Sequence, residues 1–393
     1  MLNKYGNGTT TASHGANTQI HYYDRAGINA SNAQNVYAQW ASRKHMPTKR
    51  GKTYKISRWQ HIYERDLNST DFAKHGFLTS RDIADVTDSL SNATLPEGAG
   101  RQNFLTFQKI TLETSFNRYG EMIDYTDEVE LFSEDYIQTR YREELGYQAN
   151  RRNEDLIQLD MLGTNCLMYT GVATSKATMG AGLVADASLD DEYRVGYDFI
   201  RKCVKKLVRN RAKKNTHMVV GSTKIDTRTI NRAYYAIIGN EVKYDLENTT
   251  KGTGHVEEFA YIPAYKYGDA SNLAENEVGC LHEVRFIESE SAVIYRGQGA
   301  DVPDNYAGTL SYTGEIGKDA KFDVFPILFP TEDSFATVGL KGQSKVVFRS
   351  QNPSKVELDN PYGTRGFFSY NFWYAGIILQ EERLLKGLVL ASA

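Results

Sequence analysis

The chain has 393 residues, of which 40% are apolar and 24% charged, and its net charge is -3. That length can bury a sizeable core and hold two or three domains, the composition is that of an ordinary soluble globular protein, and the charge balance argues against a dedicated nucleic-acid binder taken as a whole. The N-terminus MLNKYGNGTT lacks an apolar h-region and no run of about 18 apolar residues occurs, so neither a signal peptide nor a membrane span is expected.

Residues 1 to about 58 are rich in Gly, Asn, Thr, Ser and Ala, with one short helical patch near Asn32–Ala41. Such a segment reads as an arm without a core of its own, lying across a partner or staying disordered. Arg43, Lys44, Lys49, Arg50, Lys52, Lys55 and Arg58 are interrupted by no acid. This points to electrostatic contact, with an acidic patch on a neighbouring subunit preferred over DNA, the alternative being a solvated linker. From Leu105 to Ile123 the chain alternates, with Leu105, Phe107, Ile110 and Leu112 apolar and Asn117–Gly120 as turn chemistry, which predicts a β-hairpin arm.

Asp127–Leu162 carries the strongest helical signal. Val129, Phe132, Tyr136, Leu145, Ala149, Leu156 and Leu159 recur near spacings of three and four, no Pro intervenes, and Gly146 is the one weak point. A basic amphipathic helix is predicted from Asp190 to about Lys214. Tyr193, Tyr197, Ile200, Val204 and Leu207 form its core face, acids open it and lysines close it, as the helix dipole prefers. A strand at His217–Val220, a helical patch near Ile225–Ile238, and short strands with Gly/Asn/Asp loops to about Gly342 follow. After a turn at Asn360-Pro361 and Gly363, Phe368, Tyr370, Phe372 and Tyr374 alternate on one face, and Ser369, Asn371 and Trp373 fall on the other. The apolar tail to Leu390 must then be buried by packing or by a neighbouring subunit. The 26 tyrosines fit either an interface-rich surface or an aromatic core. Cys166, Cys203 and Cys280, widely spaced and without a CxxC pair, read as reduced, buried thiols of a cytosol-made protein.

Three ordered blocks in the last third of the chain resemble the major capsid proteins of N4-like short-tailed phages (the schitovirus group). Asp359-Asn360-Pro361-Tyr362-Gly363-Thr364-Arg365-Gly366, the Tyr374-Ala375 pair and Ile378–Leu384 are similar to that family's closing element, with Asn360 as an insertion. Pro326–Gly342 and Glu275–Ser289 are similar to two preceding elements. The resemblance implies an α+β Hong Kong 97-type capsid fold with five parts. These are an arm (1–58), an extended loop or β-hairpin region (59–126), a peripheral domain with a spine helix (127–189), an axial domain (190–342) and a C-terminal return into the peripheral domain (343–393). It further implies self-assembly into pentamers and hexamers of an icosahedral head around double-stranded DNA, with portal, scaffold and decoration proteins as further partners. Assembly contacts are expected at Arg365, Phe372 and Tyr374 and at Arg43, Lys44, Lys49 and Arg50, Arg365 reaching a carboxylate or carbonyl.

Catalytic readings find little support. Gly51-Lys52-Thr53 lacks the first glycine of a phosphate-binding loop, because Met46 stands there. There is no H-E-x-x-H, no G-x-S-x-G, and no metal-ligand spacing among the eight histidines. The sequence therefore predicts a structural protein, no enzyme, with no cofactor or metal and no membrane partner. The alternative is a nucleic-acid-binding or packaging-associated protein using the basic arm and the Arg201–Lys214 face.

Overall fold

The structure, a computed structural model, describes residues 36–59, 109–132, 137–184, 189–220, 226–251, 258–259, 261–267, 276–341, 346–356 and 360–393, with isolated positions between 83 and 98 and at 273–274. Residues 1–35 of the expected arm lie outside them. In chain order the elements are β1 (Ser42–Met46), β2 (Thr53–Trp59), β3 (Lys109–Ser115), β4 (Asn117–Thr126), α1 (Asp127–Phe132), α2 (Ile137–Leu162), β5 (Leu167–Tyr169), α3 (Asp190–Tyr193), α4 (Tyr197–Arg209), β6 (Asn215–Val220) and β7 (Asp226–Ile238). There follow α5 (Asn240–Glu247), β8 (Thr250–Lys251), β9 (Glu258–Phe259), β10 (Ile262–Pro263), β11 (Glu277–Leu281), β12 (Val284–Glu288), β13 (Tyr312–Thr313), β14 (Lys321–Phe322) and β15 (Phe325–Phe329). The chain closes with β16 (Phe335–Leu340), β17 (Val347–Gln351), β18 (Arg365–Tyr374), β19 (Gly376–Ile378) and β20 (Leu385–Val389).

Two larger assemblies organise these elements. In the first, β17, β18 and β4 form an antiparallel sheet, and α2 lies against its inner face. The second is an eight-stranded mixed sheet in the order β10-β11-β12-β7-β15-β20-β5, with β6 added on β7. The β12–β7 and β20–β5 pairs are parallel. Helix α4 covers this sheet through Phe199, Ile200, Cys203, Val204 and Leu207, all buried with Phe325, Ile327, Phe329 and Leu385. A third, smaller core gathers the 295–324 loop around Met179, Tyr193 and Phe322.

Several expectations are corrected. Residues 36–41 are core, not arm. Val36, Tyr37, Ala38, Trp40 and Ala41 are buried among residues of α2, β7 and β18, and Trp40 stacks on Tyr235 with ring centroids 4.5 Å apart. β1 then adds in parallel to β16, register Ser42 to Ala336. Composition concealed this because the apolar content of 36–41 is local while the average over the first 58 residues is polar. The hairpin is also differently built: β3 pairs with β2, from Thr53↔Ser115 to Trp59↔Lys109, whereas β4 pairs with β18. Asn117–Gly120 is therefore strand. Gly120 serves close approach, since a Cβ there would lie 2.5 Å from the Tyr370 carbonyl oxygen.

Ile225–Ile238, read as helical, is the 13-residue strand β7, with Ile225 itself outside the described residues. Residues Ala233 through Ile238 are all buried, and a strand covered on both faces has no alternation to reveal it. The predicted Asp127–Leu162 helix is observed as α1 and α2, with 133–136 outside the described residues. At 26 residues, α2 extends about 39 Å. Its buried positions are Leu145, Gly146, Ala149, Glu154, Ile157, Gln158, Met161 and Leu162, while Leu159 is exposed. The tail divides as well: β18 belongs to the α2 sheet, but β20 lies between β15 and β5 in the large sheet, so the segment after 343 serves both.

Candidate assembly surface

The closing turn is built by the residue that departs from the resembled pattern. Asn360 Oδ1 accepts the Thr364 N–H at 3.0 Å and the Arg365 N–H at 3.3 Å, and its amide donates to the Arg365 carbonyl at 2.8 Å. Gly363 takes φ +67°, a left-handed conformation that glycine adopts freely. The Asp127 N–H donates to the Thr364 carbonyl at 3.0 Å, which ties the turn to the start of α1. Arg365 opens β18 with its side chain exposed and, among the described residues, it reaches neither the expected carboxylate nor a carbonyl.

Beyond it, β18 alternates as the sequence predicts. Phe368, Tyr370, Phe372 and Tyr374 are buried, and the intervening residues are half-buried. Phe368 stacks on Tyr125 at 5.2 Å, and Phe372 lies 6.2 Å from Tyr370 and 6.0 Å from Tyr119. The two tyrosine hydroxyls find carboxylates, Tyr374 donating to Asp160 at 2.6 Å and Tyr370 to Glu121 at 2.9 Å. Phe372 and Tyr374, expected at assembly contacts, are thus interior residues of the subunit itself. The opposite face, which the sequence pattern assigns to Ser369, Asn371 and Trp373, is only half-buried. There Phe367, Ser369, Asn371 and Trp373 align with Arg118 and Met122 of β4 and with Val347 and Arg349 of β17. Arg118 sits over the Trp373 ring at 5.8 Å, and Met122 and Arg349 are exposed. The same period-two run had already placed Trp373 opposite Phe372, and that was the available signal.

Of the basic residues of the expected arm, Arg43 and Lys44 lie on β1, whereas Lys49 and Arg50 lie in the β1–β2 connection. Arg43, Lys49 and Arg50 are exposed and Lys44 is half-buried, with Lys49 at φ +65° marking a tight turn. The outer face of α4 carries Arg201, Lys202 and Lys205, exposed like Arg211 and Lys213 beyond its end. By contrast Lys206 turns inward and donates to the Leu167 carbonyl. Large apolar side chains also stand in solvent, with Tyr265 83% and Tyr362 88% exposed alongside Leu131 and Tyr244. Among the described residues no group of three or more His, Cys, Asp or Glu could hold a metal. Cys166 and Cys203 are buried and Cys280 half-buried, all unbridged.

A buried carboxylate fixes where the N-terminal segment meets the body. Glu154 of α2, 4% exposed, accepts the N–H groups of Val36 (3.1 Å), Tyr37 (2.7 Å) and Ala38 (3.2 Å). One turn on, the Gln158 oxygen accepts the Tyr37 hydroxyl at 2.7 Å and the Val293 N–H at 2.8 Å. Burial pushes the Glu154 carboxyl up to about 7, and the three N–H donors pull it only partly back. The folded value lies above the unfolded one, so the folded state binds the proton more tightly. This contribution to stability is full below the ordinary carboxylate range and is lost as pH rises through about 7. The midpoint of urea unfolding should therefore fall more between pH 5 and pH 8 in the unaltered protein than in Glu154→Gln. Equal slopes would show that Glu154 does not titrate in that window.

No family model matches the chain. The sequence is 28% identical to the major capsid protein of Pseudomonas phage KPP21, over 95% of this chain and 93% of that protein. In structure it is similar to the capsid of Ralstonia phage GP4, with a TM-score of 0.53 at 12% identity, covering 91% of this chain and 89% of that one. The mixed helix-and-strand architecture described above is thus the phage capsid fold of the Hong Kong 97 type.

Proposed function

We propose that this chain is the major capsid protein of a bacteriophage, self-assembling into the pentamers and hexamers of an icosahedral, DNA-filled head. The observation that carries the reading is the end-to-end similarity to the Pseudomonas phage KPP21 major capsid protein, and the capsid fold supports it. The three sequence blocks at Glu275–Ser289, Pro326–Gly342 and Asp359–Leu384 support an N4-like lineage. The work such a protein does is association, with binding energy spread over many copies of the same surfaces. Its role is structural and not catalytic, and its place is the virion shell after synthesis in the host cytoplasm. Portal, scaffold and decoration proteins and the packaged DNA complete its partners. In this reading the large sheet belongs to the axial domain, α2 is the spine, and Arg365 and the β1–β2 turn make contacts between subunits.

Negative-stain microscopy of the purified protein tests the proposal: closed shells of uniform diameter are expected, and a monodisperse monomer under all conditions would overturn it. Salt separates it from a nucleic-acid-binding role, because DNA affinity falls steeply with salt whereas shells held by apolar interlock persist. Reversing the charge of the exposed turn (Lys49→Glu with Arg50→Glu) should leave the subunit folded and cut shell yield several-fold. Unchanged yield would remove that turn from the contact surface.

A further inference from the structure

β2 and β3 form a two-stranded ribbon that no third strand joins among the described residues. An isolated ribbon of this kind is marginal in water, so its orientation is set by what it rests on. Three points hold it. At its base Phe116 is buried in a core with Met46, Ala336 and Val338, and its N–H donates to the Lys52 carbonyl at 3.1 Å. One residue along, at the Tyr54–Thr114 pair, Thr114 Oγ1 donates to the Gly376 carbonyl at 2.9 Å, and midway Ile56 and Leu112 rest, like Tyr54, on the same core. At the far end Arg58 reaches Glu382, Nη1 to Oε1 at 2.8 Å and Nη2 to Oε2 at 3.4 Å, with the two side chains only 18% and 2% exposed.

Glu382 is itself on rigid ground. Its carbonyl accepts the Asn210 amide at 2.6 Å from the end of α4. The next carbonyls along are held by Thr331, to Arg383 at 2.8 Å, and by Thr164 at the end of α2, to Leu384 at 2.8 Å. The turn thus sits where α2, α4 and the large sheet meet. β2 ends at Trp59, one residue beyond Arg58, and the 60–108 connection joins it in sequence to β3 at Lys109. It is far longer than the roughly two to five residues of an ordinary hairpin loop.

We propose that the Arg58–Glu382 ion pair is a positioning contact for assembly: it fixes the direction of the β2–β3 ribbon on the subunit body, so that copies can mate. This rests on the capsid reading above. A two-point charged contact suits the task because a guanidinium and a carboxylate lock orientation as well as distance. Apolar packing of Tyr54, Ile56 and Leu112 holds the ribbon only as far as its middle and leaves the direction of its far end to Arg58 and Glu382. Burial also means that removing one partner strands a charge, so the informative variants change both.

The test uses the full chain. Arg58→Gln with Glu382→Gln keeps a hydrogen-bonding pair without charge, and Arg58→Glu with Glu382→Arg restores charge in the opposite sense. Circular dichroism, thermal midpoint and hydrogen exchange of β2–β3 amides are read on the soluble subunit, and shell yield by sedimentation. The neutral pair should retain the wild-type dichroism, exchange faster in β2–β3 alone, and assemble at least ten-fold less. The swapped pair should recover most of the yield. The proposal is overturned by wild-type yield from the neutral pair, by yield falling only in step with the folded fraction, or by a folded swapped pair that recovers nothing. If the unaltered chain forms no shells, the capsid reading fails instead.

Discussion

Gln148→Pro is expected to abolish shells and to remove a large part of the helical dichroism. Gln148 lies near the middle of α2, between Leu145 and Ala149, both buried on the core side. Proline there removes an amide donor and drives its ring against the carbonyl one turn earlier, which costs about 3 kcal/mol or more in a helix interior. The damage spreads because α2 carries the ties between the two halves of the molecule. Downstream of the break lie Glu154 and Gln158, which hold residues 36–38 and the loop at Val293, and Asp160, which receives the Tyr374 hydroxyl. A kink of one turn moves all three acceptors off their donors together. A soluble but largely unassembled or aggregated product is the expected result. Shells at wild-type yield would mean that the two halves of α2 act independently.

What the sequence made legible follows from how each element is buried. β18 is covered on one face by α2 and left open on the other, so its burial alternates and so does its residue pattern, Phe368 to Tyr374 against Phe367 to Trp373. α4 is likewise one-sided, with Phe199, Ile200, Cys203, Val204 and Leu207 inside and Arg201, Lys202 and Lys205 outside. β7 is enclosed on both faces from Ala233 to Ile238, and its pattern is as compatible with a helix as with a strand. α2 conceals its core side differently. Two of its buried positions, Glu154 and Gln158, are polar because their partners are backbone groups of residues 36–38 and 291–293, contacts that spacing within the helix cannot announce. The Arg58–Glu382 pair joins residues 324 positions apart. Sequence supplied both charges but nothing to bring them together. The proposed contact surface has only compositional signals in the sequence: a basic run, abundant tyrosine and a turn ending in arginine.

Two substitutions seven residues apart on β18 should separate folding from assembly. Phe372→Ala empties a site that is 5% exposed and lined by Tyr119 and Tyr370 at ring distances of 6.0 and 6.2 Å. Truncating a buried phenylalanine costs about 3–5 kcal/mol, from lost transfer energy and from the cavity left behind. The surrounding tyrosines cannot readily collapse into that space. Tyr374 and Tyr370 are held at their hydroxyls by Asp160 and Glu121, and Glu121 is in turn held by Arg152 at 2.9 Å. Phe372→Ala should therefore lower the thermal midpoint of the isolated subunit by many degrees and reduce soluble yield before assembly is reached. Arg365→Ala acts elsewhere. Its side chain is exposed, and the backbone of the turn is already satisfied by Asn360 and Gly363, so removing the guanidinium should leave dichroism and midpoint unchanged. If the exposed guanidinium meets a carboxylate or carbonyl of the next copy, as proposed, the folded Arg365→Ala subunit should sediment mainly as unassembled protein. Normal shells from Arg365→Ala would show that the turn serves the subunit's own fold, where Asn360 closes it and the Thr364 carbonyl receives α1.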